Sequence, residues 1–138
     1  MWLYKGKVFD SIPENGDYVG FVYKIECNIT GKIYYGKKNF FSKTTKISRS
    51  LGKKPKKIVV IKESDWKKYY SSNKEIKELS KFNKNRFKRT ILCLCKTAKE
   101  LSYRELEVQI LNKVLEDDNC WNENILGRFF RRDLIHKT

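Results

Sequence analysis

Hydrophobic positions in this chain first fall into a two-residue rhythm. From Gly20 to Cys27 the sequence reads Gly-Phe-Val-Tyr-Lys-Ile-Glu-Cys, so that Phe21, Tyr23, Ile25 and Cys27 share one face of an extended segment. A second aromatic and β-branched run, Lys32-Ile33-Tyr34-Tyr35-Gly36-Lys37, follows after the polar break Asn28-Ile29-Thr30-Gly31. The pair predicts a β-hairpin over residues 18–27 and 32–37. Before it, Lys7-Val8-Phe9 predicts a short strand, and residues 11–17, with Pro13, Asn15 and Gly16, a loop. Later the period changes. Ser72-Asn73-Lys74-Glu75 reads as a capping box that opens a helix to about Phe82, with Ile76 and Leu79 inward. Asn83-Lys84-Asn85 breaks it, and residues 86–95 predict a strand carrying Phe87, Ile91, Leu92 and Leu94. A second capping box, Thr97-Ala98-Lys99-Glu100, opens a helix to about Glu116, ended by Asp117-Asp118-Asn119. There is no internal repeat. The order predicts one α+β domain over residues 1–138, with a small, mainly antiparallel sheet (hairpin plus third strand) packed with helices.

Charge adds a partner to this picture. Lys and Arg number 31 against 16 Asp and Glu, a formal net charge of +15. A balance this basic points to a polyanion, nucleic acid first, with RNA or an anionic membrane surface as alternatives. The charge is concentrated. Residues 37–57 hold nine Lys or Arg and no acid, and Gly52 and Pro55 predict a loop insertion over about 37–62, with a short edge strand at Lys56–Ile61. Like charges this dense repel unless a polyanion neutralises them, so Lys43, Lys46, Arg49, Lys53, Lys54, Lys56 and Lys57 are expected to grip phosphates rather than form a merely solvated insertion. Arg128, Arg131 and Arg132, in a basic tail over 127–138, join them, with Phe129-Phe130 expected in the core. No apolar run approaches the roughly 20 residues of a membrane span. The N-terminus lacks a signal-peptide core, so a cytoplasmic location is expected. Cys27, Cys93, Cys95 and Cys120 show no C-x-x-C pairing and read as buried small hydrophobes, Cys93 and Cys95 on one side of their strand.

The candidate chemistry lies where hairpin and charge meet. Tyr23 and Tyr34 stand eleven residues apart, and their hairpin runs into Lys37-Lys38, so a phosphate held there would lie near the strand end. A tyrosine titrating near 10 needs help to act as a base, and nearby Lys⁺ or a phosphate-bound metal would favour the phenolate. A metal needs a carboxylate. Glu105, flanked by Leu101 and Val108, and Glu107, near Ile110, Leu111 and Val114, both qualify, and helical spacing does not choose between them. The one histidine, His136, stands at the C-terminus, which disfavours chemistry built on a core histidine.

The hairpin resembles the signature of the GIY-YIG nuclease family, its halves being Phe21-Val22-Tyr23 and Tyr34-Tyr35-Gly36. Two further positions match in order: Glu105, on a helix after the third strand, and Asn122 after Trp121. Residues 63–72 and 86–92 are similar to phage-encoded and homing-type members, and the resemblance spans about residues 18–132. It implies a DNA endonuclease in which Glu105 holds Mg²⁺ (or Mn²⁺), Tyr23 is general base, Tyr34 orients water or phosphate, and Asn122 hydrogen-bonds within the site, leaving 5′-phosphate and 3′-hydroxyl ends. Phe-Val stands where Gly-Ile is usual, and Ser71 where similar proteins often carry glycine. The family's helix arginine has no counterpart over residues 73–82, which offer only Lys74, Lys77 and Lys81, so Lys37, Lys38 or Arg49 is expected to replace it. The alternatives are a catalytically weak DNA-binding protein on the same scaffold, or an RNA-binding basic protein. Cutting both strands would need a homodimer or two successive nicks.

Overall fold

The computed structural model describes residues 1–134. A five-stranded sheet in the order β2-β1-β7-β3-β4 organises it, formed by β1 (Trp2–Tyr4), β2 (Lys7–Phe9), β3 (Gly20–Cys27), β4 (Ile33–Asn39) and β7 (Phe87–Cys95). Only β1 and β7 run parallel. The predicted hairpin and third strand are thus three adjacent strands of the sheet, with β4 at its edge. The strand β1, between β2 and β7, was not foreseen: Lys5 and Gly6, both at positive φ, turn it into β2 within two residues.

Each face of the sheet is closed by one helix. On the first face Phe21, Tyr23 and Ile25 from β3 pack with Trp2, Phe40, Trp66 and Phe87, and with Ile76 from α1 (Lys74–Phe82). On the second, Val22 and Cys95 pack against Leu101 of α2 (Ala98–Leu111). β3 is therefore apolar on both faces over its first half, and beyond Val22 the second face carries the paired Lys24 and Glu26. Leu92 is an extra residue in β7, because Val22 faces Cys93 while Tyr23 faces Ile91. The Cys93 and Cys95 sulfurs lie 4.0 Å apart on one side of that strand.

Four details depart from expectation, each for a local reason. Asn73, not Ser72, caps α1, its Oδ1 accepting from the Ile76 N–H at 3.1 Å. Ser72 is engaged elsewhere, and Ser71, at φ +81, turns the chain and accepts the Asn73 N–H. That positive φ explains why glycine suits position 71. α2 stops at Leu111 rather than Glu116, because Asn112 turns back to Val108 O and the carbonyls of Val114 and Leu115 are taken by Arg131. The insertion is not a loop. β5 (Phe41–Ser48) and β6 (Lys56–Glu63) form a continuous antiparallel ribbon from Phe41 opposite Glu63 to Ser48 opposite Lys56. Finally, Phe129–Phe130 is no core element: it forms a two-residue strand, β9, paired with β8 (Asn124–Ile125), and Phe129 is exposed. A short helix, α3 (Arg131–Leu134), follows, and the rest of the predicted tail, residues 135–138, lies outside the described residues.

Candidate active site

Tyr23 and Gly36 face each other across the β3–β4 pair. A Cβ at position 36 would sit 2.6 Å from the Tyr23 hydroxyl and 2.8 Å from its Cζ, so the phenol crosses the β4 backbone where there is no side chain and reaches toward the sheet's outer edge. Tyr34 stands beside it, ring centroids 6.2 Å apart and tilted by 33°, and its hydroxyl lies 3.1 Å from Ser72 Oγ. Tyr69 meets Tyr23 edge-on at 6.0 Å. Buried Arg89 fixes that segment: Nη1 donates to Lys67 O and Tyr69 O while the guanidinium stacks on Trp2 and Tyr70. Burial drives the Tyr23 pKa well above 10, and the Tyr69 and Tyr34 hydroxyls add to the rise. The expected lysine-induced lowering is absent, because Lys38 is turned to Asp65 (2.7 Å) and the Tyr69 ring (4.1 Å), and Lys37 to Ser102 Oγ (2.7 Å).

Glu105 approaches the same edge from the opposite face. Thr97 caps α2 by accepting the Glu100 N–H, and Glu100 Oε1 accepts the Lys96 N–H, a capping box that sets the helix on the sheet. Buried Leu101 then directs the stripe holding Glu105 inward. Glu107 instead pairs with Arg104 at 2.9 Å, near exposed Ile110 and Leu111. Geometry thus separates the two glutamates where helical spacing did not. Burial raises the Glu105 pKa, opposed by the Lys37 charge and backbone N–H. With Tyr34, Ser72, Gln109, Asn122 and Glu123 it lines a cavity of about 280 Å³.

The edge of β4 is closed up to this point and open beyond it. Ile33 bonds through its backbone to Asn119 and Trp121. Asn122 Oδ1 accepts from the Tyr35 N–H (3.1 Å) and its Nδ2 donates to Tyr35 O (2.8 Å), where Gln109 Nε2 also donates. Asn122, expected to hydrogen-bond within the site, has both amide ends committed to the backbone of Tyr35, one residue before Gly36. Arg131, expected on DNA, is likewise committed: its guanidinium donates to the carbonyls of Val114, Leu115, Asp117, Cys120 and Asn122. Arg128 and Arg132 are exposed, the latter stacked on Phe130 at 4.9 Å.

Of the candidate cations, Lys37 and Lys38 point to opposite faces of β4 and bracket the open edge, Lys37 beside Glu105 and Lys38 beside Tyr69. Arg49 does not fill the arginine slot, since it follows Ser48 at the far end of the ribbon, roughly 23 Å along β5 from Phe41. Lys43, Lys46, Lys53, Lys54, Lys56 and Lys57 are all exposed on that ribbon. Tyr69, Ser72 and Gln109 were not singled out for chemistry from sequence. The first two sit in an aromatic, aperiodic stretch, and Gln109 is one of several polar residues on α2.

The family model described as "Putative endonuclease segE, GIY-YIG domain" matches residues 2–125, nearly the whole of the sheet and both principal helices. No curated protein and no solved structure matches the chain. The match covers the tyrosine hairpin, the helix that delivers Glu105 and the segment that clamps β4, and by it this chain belongs to the GIY-YIG nuclease family.

Proposed function

We propose that this chain is a metal-dependent DNA endonuclease whose chemistry is carried out at the open edge of β4. One observation carries the reading: Tyr23, crossing at Gly36, and Glu105, arriving from α2, converge there from opposite faces of the sheet. Among the described residues no three His, Cys, Asp or Glu side chains form a ready metal cage. A single partly buried carboxylate with nearby oxygen donors nevertheless suits Mg²⁺ or Mn²⁺, which keep waters and share substrate phosphate oxygens. Glu105 would hold that ion, which supplies Lewis-acid stabilisation of charge on the phosphate and the leaving 3′ oxygen.

The chain's own groups do the rest. Lys37 and Lys38, one on each face, hold the phosphate at the edge. As the phenolate, Tyr23 Oη accepts a proton from the water whose oxygen bonds to phosphorus; the phosphorus–O3′ bond breaks and the departing O3′ takes a proton from solvent, leaving 5′-phosphate and 3′-hydroxyl ends. Tyr34, anchored on Ser72, orients the water. Asn122 and Arg131 act as positioning residues that fix β4. The exposed ribbon lysines and Arg49 neutralise DNA phosphates, and Arg128 and Arg132 extend that surface. Encoding by a phage or mobile element rests on the likeness of residues 63–72 and 86–92 alone. Among the described residues no helix is long and apolar enough to cross a membrane.

Because Tyr23 titrates well above 10, little phenolate exists at neutral pH, and the cleavage rate should climb as pH rises. The same burial favours a second reading, a DNA-binding protein that does not cut. Supercoiled-plasmid nicking in Mg²⁺, Mn²⁺ and EDTA decides: metal-dependent nicking that speeds up from pH 7 to 9 supports the nuclease, and binding without nicking in either metal supports the second reading.

A further inference from the structure

We propose that the β5–β6 ribbon is a major-groove reader that lies along duplex DNA and fixes the distance from the bases read to the bond cut. The proposal rests on the DNA reading of the β4 edge.

Shape is the first argument. Eight paired residues give the ribbon a length of roughly 27 Å. The B-DNA major groove, about 12 Å wide, admits a two-stranded ribbon. Exposure is the second. Every residue of β6, and every residue of β5 but Ser42, is exposed. A lone two-stranded hairpin is marginal in water. This one nevertheless exposes Ile47, Val59 and Ile61, each close to 60% accessible. Some partner covers it, and charge names the partner: between Phe41 and Glu63 there are eight Lys or Arg and one acid, Glu63 itself. Two copies of so basic a ribbon would repel, whereas a polyanion is attracted.

The side chains also suit base edges rather than phosphates alone. On one face Thr45 lies opposite Val59; on the other Thr44 lies opposite Val60. Hydroxyls of that kind bond to base edges, and methyl groups pack on thymine methyls, while the lysines reach phosphates on either side. The ribbon's base is firmly seated. Phe40 is fully buried, its N–H donates to Val19 O, its carbonyl accepts from the Ser64 N–H, and Ser64 Oγ donates to Asn39 O. A cleft of about 670 Å³ at that base is lined by Lys37, Lys38 and Lys43. A phosphate chain leaving the groove would therefore be led to the β4 edge.

The test is methylation interference in EDTA, where binding is scored without cutting, on duplexes treated with dimethyl sulfate. Loss of binding from guanine N7 methylation (major groove), with adenine N3 methylation (minor groove) tolerated, is expected. A variant with Lys46, Arg49, Lys53 and Lys54 changed to Gln should lower the slope of log affinity against log salt by about 2–4. Minor-groove interference, no interference, an unchanged slope, or tighter ribbon-dependent binding to RNA hairpins would each overturn the proposal. So would ultracentrifugation showing that the same variant splits a dimer while its salt slope stays put. None of these outcomes depends on nicking, so a protein that binds through the ribbon but never cuts refutes only the nuclease reading.

Discussion

The two hairpins β3–β4 and β5–β6 follow one another in the chain, are both antiparallel, and meet opposite fates. In the first, Phe21, Val22, Tyr23 and Ile25 are essentially inaccessible and both faces carry a helix. In the second, almost nothing is buried. The local chain geometry is the same, and what differs is how lysine is spaced. β3 carries one lysine, at a half-buried position paired with Glu26, so its faces can be desolvated cheaply. The ribbon carries lysine on both faces, and burying either would strand charges without partners. The first hairpin thus supplies the fold and carries the proposed chemistry, and the second leaves its faces outside the core, where the proposed partner would cover them.

Breaking the first hairpin should cost chemistry most. Tyr23→Phe is expected to slow single-turnover cleavage by about a thousandfold, the scale of a lost general base. Urea denaturation should register about 1 kcal/mol or less, since one hydroxyl is removed from a packed ring. A normal rate in this variant would remove Tyr23 from the mechanism. Gly36→Ala comes next. Its methyl would overlap the Tyr23 hydroxyl, so cleavage should fall about a hundredfold and stability by about 1–3 kcal/mol. Unaltered kinetics would show that the phenol does not need that crossing.

The third change is remote from both hairpins in sequence yet holds the first in place. Arg131→Ala removes a donor from five carbonyls, of which Asp117 O keeps the Cys120 N–H, and should lower unfolding free energy by about 2–4 kcal/mol in urea titrations. A DNA-binding residue would instead lower the salt slope and spare stability. The smallest effect belongs to the second hairpin: Lys53→Gln with Lys54→Gln should move the unfolding midpoint by no more than about 0.5 kcal/mol equivalent. A larger loss would mean that the ribbon packs on the domain.

Legibility in the sequence followed the same divide. Alternating aromatics announced β3–β4, and the Thr97–Glu100 cap announced α2, because each is a local pattern with a local cause. Only one strand of the ribbon was legible, Lys56–Ile61 within β6; β5 was hidden because lysines interrupt its alternation and Gly52 and Pro55 in the connection look like a loop. Helical spacing alone could not tell Glu105 from Glu107, since Ile110 and Leu111 are apolar by sequence and yet exposed; only the family resemblance chose Glu105. Arg131 read as functional because it lies in a basic tail, and Asn122 because it matches the family's asparagine after an aromatic residue. Only the fold shows that their hydrogen bonds are spent on backbone. Trp2, whose indole donates to Trp66 O at 2.7 Å, gave no signal in a three-residue strand.

The most direct test of the convergence at β4 is single-turnover cleavage of a duplex at saturating protein in Mg²⁺, comparing Glu105→Gln with Glu107→Gln. Burial raises the folded-state pKa of Glu105, so its ionised form weakens the fold at neutral pH relative to the unfolded chain, and the cost is absent below the ordinary glutamate pKa. The account therefore predicts that Glu105→Gln abolishes cleavage while its melting temperature holds or rises, and that Glu107→Gln cuts like the parent. Cleavage that survives Glu105→Gln, or that fails equally in both variants, would contradict it.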